Sequence, residues 1–201
     1  MSASFWDTVY AEQHYVFGTA PNDFLASQQN LLKPGQRALA VADGEGRNGV
    51  WLAEQGLDVL SVEYSQLAVE KAQKLAQERG VTLEFEVADV LSWNWPEQAF
   101  DVVAAIFIQF AAPEQRTRLF AQLQTALKPG GLLILQGYTP KQLTYNTGGP
   151  GVVENLYTED LLRAAFAEME ILHLAEHEDY IAEGTKHVGL SALIDLVARK
   201  R

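Results

Sequence analysis

Three glycines spaced as G-x-G-x-x-G follow the first strongly apolar segment of the chain, at Gly44, Gly46 and Gly49. Glycine lets the backbone approach a bound group closely, and the start of a helix offers N–H groups that have no partner within the helix. A glycine turn between a strand and a helix therefore predicts a site where backbone amides meet a small ligand. The same pattern also suits a turn that needs glycine for its shape alone, so its surroundings decide its meaning.

Two carboxylates follow at the ends of the next two predicted strands. Glu63 ends the second strand, 19 residues beyond Gly44, and Asp89 stands just after the third. A carboxylate at the first position can accept hydrogen bonds from both ribose hydroxyls, and one at the second can meet the adenine amino group. Open α/β sheets bind ligands at the carboxyl ends of their strands. Together these residues predict an adenosine site for either a dinucleotide or S-adenosylmethionine.

The elements that must position these residues alternate between strand and helix, which predicts an α/β fold with a parallel sheet. Short apolar runs indicate five strands, at residues 37–42, 58–63, 83–87, 100–107 and 132–136. Helical spacing and caps indicate helices that begin near residue 50 and cover 65–79, 113–127 and 158–166. Residues 128–131 read as a turn, and 168–180 and 188–199 as a closing hairpin around a turn at 183–186.

Composition limits the class of protein. The chain has 201 residues, of which 48% are hydrophobic and 20% charged, and these values predict one globular domain over residues 1–201. The chain has no cysteine, which rules out disulfides and thiolate metal sites, and its acids and histidines show no metal-ligand spacing. The net charge of −11 makes a nucleic acid a poor partner. No apolar run suits a membrane span and no signal-peptide pattern is seen, so we expect a cytoplasmic monomer or homodimer.

These motifs together resemble the class I S-adenosylmethionine-dependent methyltransferases, and within them a small bacterial branch related to tellurite-resistance methyltransferases. The resemblance covers nearly the whole chain. Its matching stretches are 43–48, 62–65, 88–90, 100–103 and 127–131, with the N-terminal stretch 15–22 typical of that branch. It implies a doubly wound, Rossmann-like sheet of seven mostly parallel strands, a C-terminal antiparallel hairpin and helices on both faces. S-adenosyl-L-methionine is the implied cofactor, held by Asp43, Gly44, Glu45, Gly46, Arg47, Asn48, Glu63, Tyr64, Asp89, Val90 and Ile106.

The chain departs from the family pattern on its first strand. Ala40 stands where the family usually has Asp, and Ala42 where it has Gly. The family's Asp helps to fix the methionine end of the cofactor, so we expect Asp43 or Glu45 to take over part of that task. We also expect Gly46 to stay small, because a side chain there would enter the cofactor's volume or strain the turn.

Two other functions stay open at this point. A nicotinamide-dependent oxidoreductase uses a similar sheet, but it is not expected to carry Lys128-Pro129-Gly130-Gly131 before the fifth strand, or the terminal hairpin. A regulatory protein that binds S-adenosylmethionine without catalysis is the other alternative, and the alanines at 40 and 42 keep it open.

Methyl transfer needs an aligned nucleophile and a dry site more than it needs a base, because the sulfonium already makes the methyl group electrophilic. The acceptor is expected to be a small molecule, with a thiol, a tellurium oxyanion, an oxygen or a nitrogen as nucleophile. His187 is the one histidine considered as a base, because His14 lies in the prefix, and His173 and His177 fall on a strand as surface or sheet residues. Gln109, Gln136 and Tyr138 are further substrate-side candidates at strand ends. Asp179, Tyr180 and His187 are expected near the mouth.

Two segments are left to cover the site. Residues 1–32 form a helical, aromatic prefix, and residues 139–155 form a long loop rich in glycine and asparagine. Long loops of this kind are often lids. We expect both segments to close over the ligands, with Tyr15, Phe17 and Tyr145 lining the pocket.

Overall fold

A computed structural model describes residues 3–145 and 147–201. Met1, Ser2 and Asn146, which fall in the predicted prefix and loop, lie outside the described residues. The strands are β1 Arg37–Val41, β2 Asp58–Glu63, β3 Glu84–Val87, β4 Phe100–Ile106, β5 Leu127–Tyr138, β6 Met169–Glu183 and β7 His187–Lys200. The helices are α1 Ala3–Tyr10, α2 Asp23–Ser27, α3 Arg47–Glu54, α4 Gln66–Arg79, α5 Pro113–Ala126 and α6 Glu159–Ala165, with 3₁₀ turns at Gln29–Leu31, Pro140–Thr144 and Val153–Asn155.

The seven strands form one sheet in the order β3-β2-β1-β4-β5-β7-β6. The first five strands pair in parallel, whereas β7 runs antiparallel to both β5 and β6. The predicted fold class is thereby confirmed, including the C-terminal hairpin. The strand order reverses between β1 and β4, and a reversal of this kind opens a crevice at the carboxyl ends of the strands.

Alternating side chains place two apolar layers on the sheet, because successive residues of a strand point to opposite faces. On β1, Leu39 packs in the larger core with α5 and α6, and Ala40 packs in a second core with α2 and α3. Both faces are thus covered, which explains why the central strands read as continuous apolar runs.

Several predicted boundaries are wrong. The prefix is helical only in part, because residues 11–22 form turns and extended backbone between α1 and α2. Residues 128–131 lie inside β5, although Gly130 has a φ of 80°. The helix after the glycine turn begins at Arg47 rather than near residue 50, and β6 continues to Glu183. Pairing with β4 extends β5 back to Leu127, and pairing with β7 extends β6 to Glu183.

Candidate functional site

The crevice at the strand reversal is a cavity of about 750 Å³. Ala42 follows β1 and Phe107 follows β4, and both have positive φ values, 50° and 55°. Such values are uncommon for residues other than glycine and concentrate at functional sites. The value at Ala42 also explains why a glycine suits that position. The two residues turn the chain outward on either side of the crevice and thereby open it.

The glycine turn forms one wall of this cavity and leads into α3. Gly46 has a φ of 88°, and a Cβ on it would lie 2.5 Å from the Cβ of Ala72 in α4. The predicted need for a small residue is therefore explained by the packing of the turn against α4 and by its backbone conformation. The suggested overlap with the cofactor's volume is not the reason, because the added carbon would point at the helix.

Glu63 is buried and faces the turn. Its Oε2 accepts a hydrogen bond from the Gly44 N–H (2.9 Å) and its Oε1 one from the Ser65 N–H (2.9 Å). Burial raises the pKa of this carboxyl, although these backbone hydrogen bonds oppose the rise. An ionised carboxylate has about four acceptor positions, and the amides of Gly44, Ser65 and Tyr64 use three of them, so one remains for a ribose hydroxyl. The free acceptor position of Glu63 therefore fits the group that the sequence predicts there.

The rest of the predicted adenosine site lies along the same wall. The residues that line it include Tyr64, Asp89, Val90 and Ile106, as well as Asp43, Gly44, Glu45, Arg47 and Asn48. Asp89 uses its Oδ1 to accept the Leu91 N–H at 2.9 Å, which fixes the loop after β3. Of the eleven predicted cofactor-binding residues, Gly46 is the one that does not line the cavity.

Asp43 and Glu45 are both engaged within the protein. The Asp43 carboxylate accepts the Gly49 N–H at 3.1 Å and the Ser61 hydroxyl at 2.9 Å. Burial raises the pKa of Asp43 to about 7, against the effect of those two hydrogen bonds. Glu45 accepts the Val16 N–H at 2.7 Å and pairs with Lys71 at 2.7 Å. Asp43 thus braces the turn on the sheet, and Glu45 ties the turn to the prefix.

The far end of the cavity is aromatic and surrounds His187. The ring of His187 lies 4.6 Å from that of Phe17, 4.8 Å from that of Phe107 and 5.7 Å from that of Tyr138, centroid to centroid. Its Nδ1 lies 3.3 Å from Oε2 of Glu183. In the described part of the chain, the buried hydroxyl of Tyr138 has no hydrogen-bond partner. This end therefore combines apolar walls with two polar groups, as small-molecule sites commonly do.

The buried side chain of Gln109 hydrogen-bonds to the backbone of neighbouring segments. Its Oε1 accepts the Tyr138 N–H at 2.6 Å, and its Nε2 donates to the Tyr138 carbonyl at 2.9 Å and to the Asn155 carbonyl at 3.2 Å. Because both ends of the amide are occupied, Gln109 holds Tyr138 in place and has no group left for chemistry.

Two residues expected near the mouth and one expected on the substrate side lie elsewhere. Asp179 and Tyr180 are outside the cavity lining, and Tyr180 is 67% exposed on β6. They stand two residues and one residue before Ile181, on the exposed edge strand rather than at the turn. Gln136 is buried beneath the site, where its Nε2 donates to Asp195 at 2.6 Å.

The prefix and the hairpin turn cover the cavity together. Trp6 and Tyr10 of α1 line it with stacked rings, 5.8 Å apart, and Phe17 lines it as predicted. The prediction was wrong for Tyr15, which donates to the Lys71 carbonyl at 3.2 Å, and for Tyr145, whose hydroxyl contacts Glu178 on the surface. Both rings are held outside the pocket by these hydrogen bonds.

Part of the long loop also covers the site. Residues Gly148 to Val152 line the cavity, whereas Gln142 anchors the preceding turn by accepting the Ala192 N–H at 2.8 Å. In the parts of the chain that the structure describes, no cluster of three or more His, Asp or Glu is arranged to hold a metal ion. None of the described helices has both the length and the apolar character that crossing a bilayer requires.

Sequence reasoning missed Asn22 and Glu183. Asn22 donates to Glu183 at 2.9 Å, and Glu183 pairs with Arg47 at 2.8 Å. Both contacts join residues more than 130 positions apart, so no local pattern indicates them. The one local signal was Glu183 next to Gly184 at the hairpin turn, and this pattern is typical of an ordinary solvent-exposed turn.

Comparison with known proteins finds similarity to methyltransferases. Residues 38–131 match the family model described as a methyltransferase domain. The chain is 30% identical to a demethylmenaquinone methyltransferase of Renibacterium salmoninarum over 131 residues, which are 65% of this chain and 50% of that protein. It is 34% identical to phosphoethanolamine N-methyltransferase 1 of Arabidopsis thaliana over 117 residues, 53% of this chain and 22% of that protein. The chain thus spans half or less of these relatives.

Solved structures show the same fold over nearly the whole chain. One comes from work on the conversion of a disulfide bond into a thioacetal group during echinomycin biosynthesis. It has a TM-score of 0.80 and 20% identity and covers 98% of this chain and 91% of that one. TehB of Haemophilus influenzae has a TM-score of 0.73 and 14% identity, covering 99% and 67%. Residues 38–131 are therefore similar to methyltransferase domains, and the chain has the fold of S-adenosylmethionine-dependent methyltransferases of known structure.

Proposed function

We propose that this chain transfers a methyl group from S-adenosylmethionine to a thiol or hydroxyl group of a small, uncharged molecule, with His187 as the general base. The observation that carries the proposal is the position of His187. It stands in the same cavity as the glycine turn and Glu63, at the aromatic end. The bound cofactor supplies an electrophilic methyl group on its sulfonium, and the protein has to align the acceptor and exclude water.

The residues that line the different walls of the cavity have different roles in the proposed reaction. Glu63 and the amides of the glycine turn hold the adenosine part. The rings of Phe17, Phe107 and Tyr138 bind the apolar body of the acceptor. The Tyr138 hydroxyl donates a hydrogen bond to the acceptor's heteroatom, and Nε2 of His187 takes up its proton. A dissociable proton on sulfur or oxygen suits a histidine base, whose charge changes near neutral pH.

The charges around the cavity favour an uncharged acceptor. Among the described residues, the cations in the lining are Arg47 and Lys186. Arg47 is paired with Glu183, and Lys186 is exposed at the rim. Phosphate recognition needs cations or amides that are free to contact it. Among the described lining residues, the exposed Lys186 is then the cation left for a phosphorylated acceptor, such as that of the phosphoethanolamine relative, or for a tellurium oxyanion.

The remaining expectations fit this proposal. The negative net charge and the enclosed cavity favour a small molecule over a nucleic acid. The likeness to TehB supports the predicted branch through the fold alone. We propose one domain over residues 1–201, acting in the cytoplasm as a monomer or homodimer.

A methyl-transfer assay with four named acceptors tests the proposal. The purified protein is incubated with methyl-labelled S-adenosylmethionine and benzyl mercaptan, phenol, phosphoethanolamine or tellurite, and products are identified by mass spectrometry. We expect methylated benzyl mercaptan or phenol, whose sulfur or oxygen is still protonated at neutral pH, at a rate that His187→Gln lowers by about 10²- to 10⁴-fold. The control is His173→Gln, an exposed histidine on β6. Methylation of phosphoethanolamine or tellurite alone, or equal rates in both variants, contradicts the proposal.

A thermal-shift titration separates the two alternative functions. S-adenosylhomocysteine is expected to stabilise the protein and NADH is not, because ligands that bind the folded state raise its stability by mass action. Stabilisation by NADH alone supports an oxidoreductase. Stabilisation by S-adenosylhomocysteine without turnover of any acceptor supports a binding protein.

A further inference from the structure

Glu183 joins three parts of the chain around the acceptor end of the cavity. Its Oε1 accepts a hydrogen bond from Nδ2 of Asn22 in the prefix (2.9 Å). Its Oε2 accepts one from Nη2 of Arg47 in the glycine turn (2.8 Å) and lies 3.3 Å from Nδ1 of His187. One carboxylate therefore contacts the covering segment, the cofactor-side turn and the proposed base.

This carboxylate is kept ionised. Its side chain is 9% exposed, and that of Arg47 is 8% exposed. Burial alone would raise the pKa of Glu183, but His187, Arg47 and Asn22 outweigh it and lower the pKa to about 2. A buried ion pair persists when its remaining hydrogen-bonding positions are also satisfied, and these neighbours satisfy them.

Glu183 is also unable to turn away from the ring. Asn22, which holds its Oε1, uses its own Oδ1 to accept the Leu25 N–H (3.0 Å), and its Nδ2 donates to Gln136 as well (2.6 Å). Gln136 in turn donates to Asp195, which pairs with His177 at 2.8 Å. Hydrogen bonds to residues of the sheet thus fix the side-chain amide of Asn22, and this amide in turn fixes the carboxylate of Glu183.

A carboxylate at one ring nitrogen determines what the other nitrogen can do. An ionised carboxylate accepts hydrogen bonds and cannot donate them, so Nδ1 of His187 must carry the proton. Nε2 is then left with a free lone pair. The ring is wedged among Phe17, Phe107 and Tyr138 in the cavity wall, which restricts its rotation.

We propose that Glu183 is a positioning residue, which holds His187 in the Nδ1–H tautomer so that Nε2 is free to accept the proton of the acceptor. The ion pair between Glu183 and Arg47 connects the Glu183–His187 pair to the glycine turn. His187 is therefore in place when the cofactor side of the cavity is formed. The proposal deepens the proposed function and rests on it for the role of Nε2, whereas the tautomer itself can be measured without any acceptor.

Nitrogen NMR of the full-length protein tests the tautomer directly. Uniformly ¹⁵N-labelled protein is measured at a pH where the ring is neutral, and the His187 signals are assigned by their loss in His187→Gln. We expect the signature of the Nδ1–H tautomer in the wild type. In Glu183→Gln we expect loss of this preference, with Nε2–H present at a substantial fraction. Glu178→Gln, on the same strand but paired with Lys141 at the surface, is the matched control and should resemble the wild type.

The proposal is overturned if the His187 ring of the wild type is in the Nε2–H tautomer. This measurement uses the wild-type protein alone, so the test remains possible even if Glu183→Gln folds poorly. An unchanged tautomer in a folded Glu183→Gln also overturns it. Kinetics with benzyl mercaptan supply the second readout: we expect kcat to fall on the order of 10²-fold in Glu183→Gln. The affinity for S-adenosylhomocysteine should change less than threefold. If the protein shows the expected tautomer but methylates none of the four acceptors, the proposed function fails, and with it the role of Nε2, while the hold of Glu183 on the tautomer stands.

Discussion

Gly184, in the turn between β6 and β7, packs against Gly18 of the N-terminal segment so closely that a Cβ on Gly184 would lie 2.5 Å from the Gly18 nitrogen. The carbonyl of Val16 is in the same contact, and it accepts the Thr185 N–H at 2.8 Å. The N-terminal segment and the hairpin turn thus meet over the cavity through direct backbone contact.

This contact predicts that Gly184→Ala loosens the cover of the cavity. The added carbon would clash with backbone atoms, which cannot move aside as a side-chain end can. Hydrogen exchange is expected to accelerate at the amides of Val16 and Phe17, which are otherwise held by Glu45. Gly80→Ala is the matched control, because Gly80 has a similar φ (68° against 64°) and no atom within 4 Å of the added Cβ. Equal exchange in both variants would show that the contact does not hold the cover.

The packing of the glycine turn on α4 predicts that Gly46→Ala destabilises the protein itself. A Cβ there would lie 2.9 Å from the Ala72 Cα, and the φ of 88° is unfavourable for alanine. Overpacking and left-handed backbone together are expected to lower the free energy of unfolding by roughly 2–4 kcal/mol. Gly35→Ala, at a φ of 83° with open space around it, carries the backbone cost alone. Denaturant unfolding of both variants measures the difference, and equal losses would refute the packing argument.

Asp43 predicts a pH-dependent effect of its substitution. Because the pKa of Asp43 in the folded state is raised from 3.8 to about 7, its contribution to stability is complete below about pH 4 and is lost as the pH rises through about 7. Asparagine does not titrate, so Asp43→Asn should gain stability relative to the wild type between pH 4 and 8. The gain is expected to approach roughly 3–4 kcal/mol. Chemical denaturation across this range measures it, with the exposed Asp160→Asn as control. A difference that stays flat with pH would contradict the raised pKa.

Substitutions of Gln109 and Tyr138, the two catalytic candidates at strand ends, are predicted to have different effects: the first on stability and the second on activity. Gln109→Leu leaves the buried N–H of Tyr138 without its partner, whereas the Tyr138 carbonyl keeps the Tyr157 N–H at 3.0 Å. The unpaired N–H should cost roughly 1–3 kcal/mol of unfolding free energy. Tyr138→Phe removes a hydroxyl that has no partner in the described chain, so stability should change by less than about 1 kcal/mol. Methylation of benzyl mercaptan should nevertheless fall in Tyr138→Phe. A stable, active Gln109→Leu together with an unstable Tyr138→Phe would reverse the assignment.

The sheet and the cofactor side of the cavity could be predicted from the sequence because their signals are local. An apolar run ending at Val41, a glycine turn and a carboxylate at Glu63 lie within 30 residues, and parallel pairing places them side by side. Of the two departures there, Ala42 has the positive φ that favours a glycine, and Ala40 is buried in the core beside α2 and α3.

The acceptor side could not be predicted in the same way. His187 was identified from its place at the hairpin turn, but its partner Glu183 depends on the ion pair with Arg47, 136 positions away. Tyr15 and Tyr145 were assigned to the pocket from their residue type, although their hydroxyl groups bind partners outside it. Direction of a side chain in an irregular segment is set by long-range contacts, which periodicity does not record.

A crystal structure of the protein with S-adenosylhomocysteine tests the central claim most directly. The account predicts that the ligand occupies the cavity beside the glycine turn, with a ribose hydroxyl hydrogen-bonded to Glu63 and its sulfur directed towards the end that holds Tyr138 and His187. An adenosine part bound away from Glu63, or a sulfur directed away from His187, would contradict it.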